Sequence, residues 1–302
     1  MKKSIILAAV ALMGFAGLAQ ADEVDLKHYK MAREYIRKEK VTVTVTVEQA
    51  FKQDAILVVG EGVPKKGTTG GQKRLTALRA AEVAAQRALA ELLKGVSITG
   101  ETTVRDAELE SDVIRSSVNT FIKGFHPVVK DWNAEEETAL VILRVGINGP
   151  GSFAAMMYEK VLTEPKIKQQ VEKPVYTPPA DVPAPAPVAQ AFDGLIIDAT
   201  AYSFRPALIN RIFNPKGEVL YDPAKISQKV LVEQGCGEYT NSVDKARAAL
   251  RKRGVNNPLV VKASGTVSPS DLQVSNDVAL QIFSANQNNG FMADARVAFV
   301  LK

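Results

Sequence analysis

The residues best spaced for chemistry are GEGVPKKGTTGG (60–71), which follow the apolar run AILVVG (55–60) and precede a long helical pattern. A strand, a Gly-rich loop and a helix form the setting in which backbone N–H groups and the positive helix end cradle a phosphate. The spelling argues against it. A P-loop needs G-x-x-x-x-G-K-[ST], whereas residues 62–69 read GVPKKGTT, with Thr68 in place of the phosphate-reaching Lys and both lysines before Gly67. The dinucleotide fingerprint fails too, because Gly60 and Gly62 fit G-x-G but Lys65 holds the third glycine position. We expect no nucleotide and no cofactor.

Other reactive residues are isolated. His28 and His126 lack an H-x-x-x-H partner, and Cys236 is the one cysteine, so neither a zinc cluster nor an intrachain disulfide is expected. Ser152 in GPGSF lacks the G-x-S-x-G arrangement of a nucleophile elbow and reads as a helix N-cap. The acid pairs Glu108 and Glu110, and Glu135 to Glu137, fall in polar loops or on helix ends. Glycoside hydrolysis needs two carboxylates facing each other across a cleft, an arrangement that sequence does not supply. Trp132 reads as a core or rim aromatic. Arg251, Lys252 and Arg253 close a predicted helix, where cations complement the dipole, and no aromatics interleave them, so no nucleic-acid partner is expected. These observations point away from an enzyme.

The elements that would position such residues follow an export pattern. Lys2 and Lys3 precede the apolar run Ile5 to Leu18, which closes on Ala19-Gln20-Ala21, the signature of a secretory signal peptide with Ala19 and Ala21 at its cleavage site. No Cys stands at that point to carry a lipid. Removing residues 1–21 takes away two cations and lowers the formal net charge from +5 to +3. The expected product is a soluble periplasmic or otherwise exported protein rather than a lipid-anchored one. Beyond it we expect an α/β domain over 22–163, a Pro-rich linker over 164–191 with polyproline-like stiffness, and a second α/β domain over 192–302.

In the first domain a short helix (26–38) leads to VTVTVTV, where Val41, Val43, Val45 and Val47 alternate with Thr42, Thr44 and Thr46. Strict alternation predicts a strand with one apolar face, and an exposed edge here would accept a strand from another chain. AILVVG is the next strand. The helix after the Gly-rich loop places Leu75, Leu78, Ala81, Ala85, Ala88, Leu89 and Leu92 on one face, its alanines small enough for close approach to a sheet. Then come a strand over 96–104, a helix from about Glu110 to Lys123 capped by Ser111, strands HPVVKDW and ALVILRVGI, and a short helix over 152–162. The second domain predicts a strand in FDGLIIDAT, a hairpin in RIFNPKGEVLY, a helix ended by Gly254, a strand in NPLVVKASG, a helix capped by Ser275 or Asn276, and a final strand in DARVAFVLK. The fold class is α/β (α+β): two small mixed-sheet domains, each with helices packed on its sheet.

The runs GEGVP, ALRAAEVAAQRALAELLKGVSITGETTV, VIRSSVNTFIKGFHPVVKDW and ALVILRVGI, across Ala55 to Ile147, resemble the envelope lipoprotein family named for the LPP-twenty protein. They are also similar to the N-terminal domain of the flagellar assembly protein T. The second domain resembles a module associated with uncharacterised bacterial envelope proteins. The resemblance implies a non-enzymatic envelope protein that assembles with other envelope proteins or with itself, near the outer membrane, in a structural or flagellar role. The missing lipidated Cys departs from the lipoprotein pattern. A small-ligand or peptidoglycan-binding module is the alternative, and an exported hydrolase the more distant one.

Overall fold

The computed structural model describes residues 26–163, 165, 174–179 and 191–302. The signal-peptide assignment, Ala19 and Ala21 included, and most of the Pro-rich segment lie outside the described residues.

The first half is built on an antiparallel sheet of β1 (Ala55–Gly62), β2 (Val129–Asn133) and β3 (Thr138–Gly146), in the order β1-β3-β2. Period-two alternation gives both faces apolar positions, and a helical layer covers each. Ile56, Val58, Val141 and Leu143 enter the main core beneath α3 (Gly71–Lys94), while Leu57, Leu140 and Ile142 meet α1 (Lys30–Glu39) in a smaller cluster around Tyr29 and Ala32. From β2, Asp131 Oδ2 accepts from the Met31 and Ala32 N–H groups at 2.7 and 3.2 Å, which fastens the start of α1.

The buried stripe of α3 is Ala77, Ala81, Ala85, Leu89 and Leu93, an i, i+4 row. The expected face is displaced: Leu75 is 69% exposed, and Leu78, Ala88 and Leu92 flank the stripe. The cause is close approach of backbones. A Cβ on Gly60 would lie 2.2 Å from Ala81 O and Ala85 N, and one on Gly62 2.4 Å from Ala77 O and Ala81 N. Alanine faces bare glycine backbone here, and leucine does not fit between them.

Two expected strands are absent. VTVTVTV has no strand pairing; Val41 to Val45 run irregularly into α2 (Val47–Lys52), capped by Thr46. Residues 96–103 form a tight loop with one bridge, Ser97 to Thr103, closed by Ile98 N–H to Thr102 O at 2.8 Å. It runs directly into α4 (Val104–Glu110), an element that the expected strand concealed. A reciprocal capping box starts α4: Asp106 N–H donates to Thr103 Oγ1, and Thr103 N–H donates back to Asp106 Oδ2 at 2.9 Å. The Thr103 hydroxyl and N–H also hold the Asp106 carboxyl below its ordinary pKa. Stability from a lowered carboxylate is present at neutral pH and lost as pH falls through the folded-state value. Asp106→Asn is therefore expected to cost about 1 kcal/mol at neutral pH, with the gap from wild type closing below about pH 4 in urea unfolding. α5 (Asp112–Gly124), with Ser111 as its cap, and α6 (Phe153–Val161), with Ser152, follow the sequence expectation.

The second half carries two sheets. β4 (Gly194–Asp198), β7 (Glu238–Thr240), β8 (Pro258–Lys262) and β11 (Val297–Val300) form an all-parallel sheet in the order β7-β11-β4-β8. One face is covered by α8 (Val243–Arg251) through Ala246 and Leu250. β5 (Arg211–Phe213), β6 (Val219–Tyr221), β9 (Gly265–Ser268) and β10 (Asp271–Gln273) form the third sheet, in the order β6-β5-β10-β9. α7 (Gln228–Gln234) and α9 (Asn276–Asn289) complete this half.

Each half has its own sheets and helices, yet the two meet along a buried seam. Leu208 and Ile209 N–H donate to Ser97 O and Ile98 O, both at 2.9 Å; Tyr158 donates to Leu208 O at 2.7 Å; and Phe51 packs edge-on against Tyr239. A Cβ on Gly100 would lie 1.7 Å from Ser268 Oγ. These contacts join the halves, and one continuous buried cluster includes residues of both. Part of the Pro-rich segment is also folded onto the second half, with Val175 bridged in parallel to Val219.

Candidate functional site

The free border of β1 is where the sequence-predicted interaction residues come to lie. In the order β1-β3-β2 the outer side of β1 has no neighbouring strand among the described residues. Thr44 occupies its first part: Thr44 N–H donates to Leu57 O at 2.8 Å, and its hydroxyl accepts from Leu57 N–H at 2.9 Å. Gln53 Nε2 donates to Thr44 Oγ1 at 2.6 Å and to Ala55 O at 3.0 Å. A buried threonine hydroxyl thus replaces the second backbone partner that a strand would have offered. Val41 and Val43 pack on the α1 cluster, Val47 packs on the main core, and Val45 points outward at 66% exposure, while Thr42 and Thr46 are exposed.

The plug stops at Leu57. With period two, the N–H and C=O groups of Val59 and Glu61 also face outward, and among the described residues no backbone group is bonded to them there. Glu61 receives the Tyr29 hydroxyl, and Val63 beyond the strand is 65% exposed. The open stretch is therefore short, flanked by α1 on one face and α3 on the other, and ends in an exposed valine.

A second concave feature, a cleft of about 300 Å³, opens on the seam between the halves. Asp54, in left-handed backbone at φ 51°, enters it from the first half, and its Oδ1 accepts from Asn148 N–H and Nδ2 at 3.1 and 2.8 Å. Desolvation by the cleft wall raises the Asp54 pKa, and the two Asn148 bonds oppose that. From the second half come Glu233, Gln234, Glu238, Lys252 and Arg253. Arg253 is fully engaged, donating to Glu238 at 2.8 Å, Ala295 O at 2.7 Å and Gln234 O at 2.6 Å. The basic run Arg251 to Arg253 therefore splits into one structural guanidinium and two exposed cations.

The remaining chemical candidates are placed apart. Cys236 is buried, its thiol 3.1 Å from Tyr239 Oη, and burial pushes its pKa up, so the reactive thiolate is disfavoured. Tyr239 also donates to Asn210, which bonds Ser270 O, making a polar core network in which no hydroxyl faces the cleft freely. His28 pairs with Glu136 at 3.5 Å and His126 lies exposed on a separate loop. Ser152 Oγ accepts from Ala155 N–H, acting as the cap its position implied. Among the described residues no three His, Cys, Asp or Glu side chains converge as metal ligands, and no helix is long and apolar enough to cross a membrane. Sequence reasoning missed Asp54, Asn148 and Glu233, which are far apart in the chain and meet only at the seam.

A comparison with protein families matches residues 194–302 to the family described as Treponema pallidum Tp0624, second domain. The matched stretch is a little over a third of the chain; it begins at the first residue of β4 and takes in both sheets of the second half. A search of curated proteins found no match. The second half of this chain is thus similar to the second domain of a spirochaete protein.

Proposed function

We propose that this chain is an exported, non-enzymatic envelope protein that serves as a structural or assembly component of a periplasmic or outer-membrane machine, with a flagellar assembly as the sharpest form. The resemblance of Ala55 to Ile147 to the LPP-twenty family and to the flagellar assembly protein T supports this reading, as does the export pattern of residues 1–21. The observation that carries it is the open border of β1 at Val59 and Glu61, because unsatisfied edge groups are a template for strand addition. In this account Val41 to Val47 do not themselves form the added strand. They plug one end of the edge and so fix where a partner strand begins.

A photo-crosslinking residue at position 63 in the intact envelope, followed by mass spectrometry, tests this. Envelope subunits or a second copy are expected in the crosslinked products. Val59→Pro removes an outward N–H from an edge position that tolerates proline and is expected to abolish those products while leaving the melting temperature nearly unchanged. Recovery of uncrosslinked monomer alone would overturn the reading. The seam cleft supports a second one, a small-ligand or glycan-fragment site, because Glu233 and Lys252 stand exposed on its wall. A saturable thermal shift with peptidoglycan fragments, lost in Lys252→Ala, is the result that reading predicts.

A further inference from the structure

The Pro-rich segment contains a bound peptide in all but name. Pro174 to Tyr176 lie along the outer edge of β6, where Val219 N–H donates to Pro174 O at 2.7 Å and Tyr176 N–H donates to Val219 O at 2.9 Å. These two bonds bracket Val175 and Val219 as a parallel pair. Tyr176 is only 6% exposed, and its ring meets Phe283 of α9 edge-on with centroids 5.7 Å apart. Val175, between the two anchoring points, is 55% exposed. An extended segment held by main-chain bonds to a sheet edge, with one side chain in an aromatic pocket, is the mode by which sheets capture peptides from other chains.

We propose that the groove between β6 and α9 accepts Pro174 to Pro179 of a second copy of this chain, so that two copies are joined by reciprocal exchange of this strap. The inference rests on the assembly reading and names its partner. The occupant displayed in the groove is this chain's own sequence, so an identical copy carries a ligand whose fit is already set out. Exchange preserves both backbone bonds and the Tyr176 contact. The closed and exchanged forms then differ mainly in the effective concentration of the tethered strap, and a crowded assembly shifts the balance toward exchange. Nine residue steps separate position 165 from Pro174 and twelve separate Pro179 from position 191. At about 3.3 Å per residue, chains of these lengths span at most roughly 30 and 40 Å. The same two-fold operation supplies both contacts, which closes the pair and prevents open-ended chains.

Two full-length copies with different affinity tags, produced together in one cell, test the proposal when only the first carries a photo-crosslinker in place of Val175. After irradiation, a covalent pair bearing both tags is expected, its crosslinked peptide joining position 175 to Val219–Tyr221 or to α9 of the other copy. Adding Tyr176→Ala to the first copy is expected to abolish that pair, with the melting temperature serving as a check on folding. Crosslinks from position 175 confined to the first copy's own β6 would overturn exchange. That result would leave the β1 edge reading standing, since it is read separately at position 63. Absence of any β6 crosslink, within or between copies, would overturn the groove itself.

Discussion

Arg211→Met is expected to cost about 3–5 kcal/mol, because it strands a buried carboxylate rather than because it removes a favourable pair. Arg211 and Asp271 sit opposite each other in the parallel pairing of β5 and β10, with both side chains 2% exposed. Arg211 Nε and backbone N–H both reach Asp271 Oδ1 at 3.1 Å, and an outer guanidinium nitrogen reaches Oδ2 at 2.7 Å. Ser268 adds a bond to Oδ2 at 3.0 Å, and Gly100 of the other half seals the group from above. With the guanidinium gone, Asp271 keeps only the bonds from the position-211 N–H and the Ser268 hydroxyl, in a site 2% exposed. The double variant Arg211→Met with Asp271→Leu is expected to recover most of the loss, since apolar replacement of a whole buried pair is often neutral. Urea unfolding of the single and double variants checks this, and a double variant as unstable as the single one would contradict it.

The second large effect is expected at Gly60→Val. Even one added Cβ lies 2.2 Å from two backbone atoms of α3, and neither can swing aside as a side chain end would. Overpacking typically costs about 1–3 kcal/mol where side chains can adjust; here whole helix turns must move, so the upper end or beyond is expected. Gly71→Ala, at the first position of α3 with nothing within 4 Å, is the matched control and should be neutral or slightly stabilising. Both variants are compared by thermal unfolding and by near-ultraviolet circular dichroism, where displacement of α3 would alter the signal from Tyr158 and Trp132. Equal melting temperatures would mean that the α3 contact is looser than these distances imply.

Elements with local signals at both ends were legible in the sequence. Ser111, Ser152 and Ser275 cap the helices they were expected to cap, and Gly254, in left-handed backbone at φ 80°, lies three residues past the end of another at Arg251. VTVTVTV failed because β propensity reports fit to a pleated neighbour, and α2 begins inside the run. The signal was present: Thr46 and Gln49 have capping-box spacing, and Gln49 N–H does donate to Thr46 while its side chain accepts from Val45 N–H. Thr103 and Asp106 marked α4 in the same way. Nothing local marks the seam, by contrast. Asp54, Asn148 and Glu233 become neighbours only through the docking of Ser97 and Ile98 on Leu208 and Ile209, and no periodicity encodes a contact across that much chain.

The strand order β7-β11-β4-β8 has a temporal meaning. β11 follows the other three strands of this sheet in the chain, yet it lies inside the sheet, between β4 and β7, and without it those two strands have no pairing partner on their facing edges. A ribosome must therefore complete Val297 to Val300 before this sheet can close.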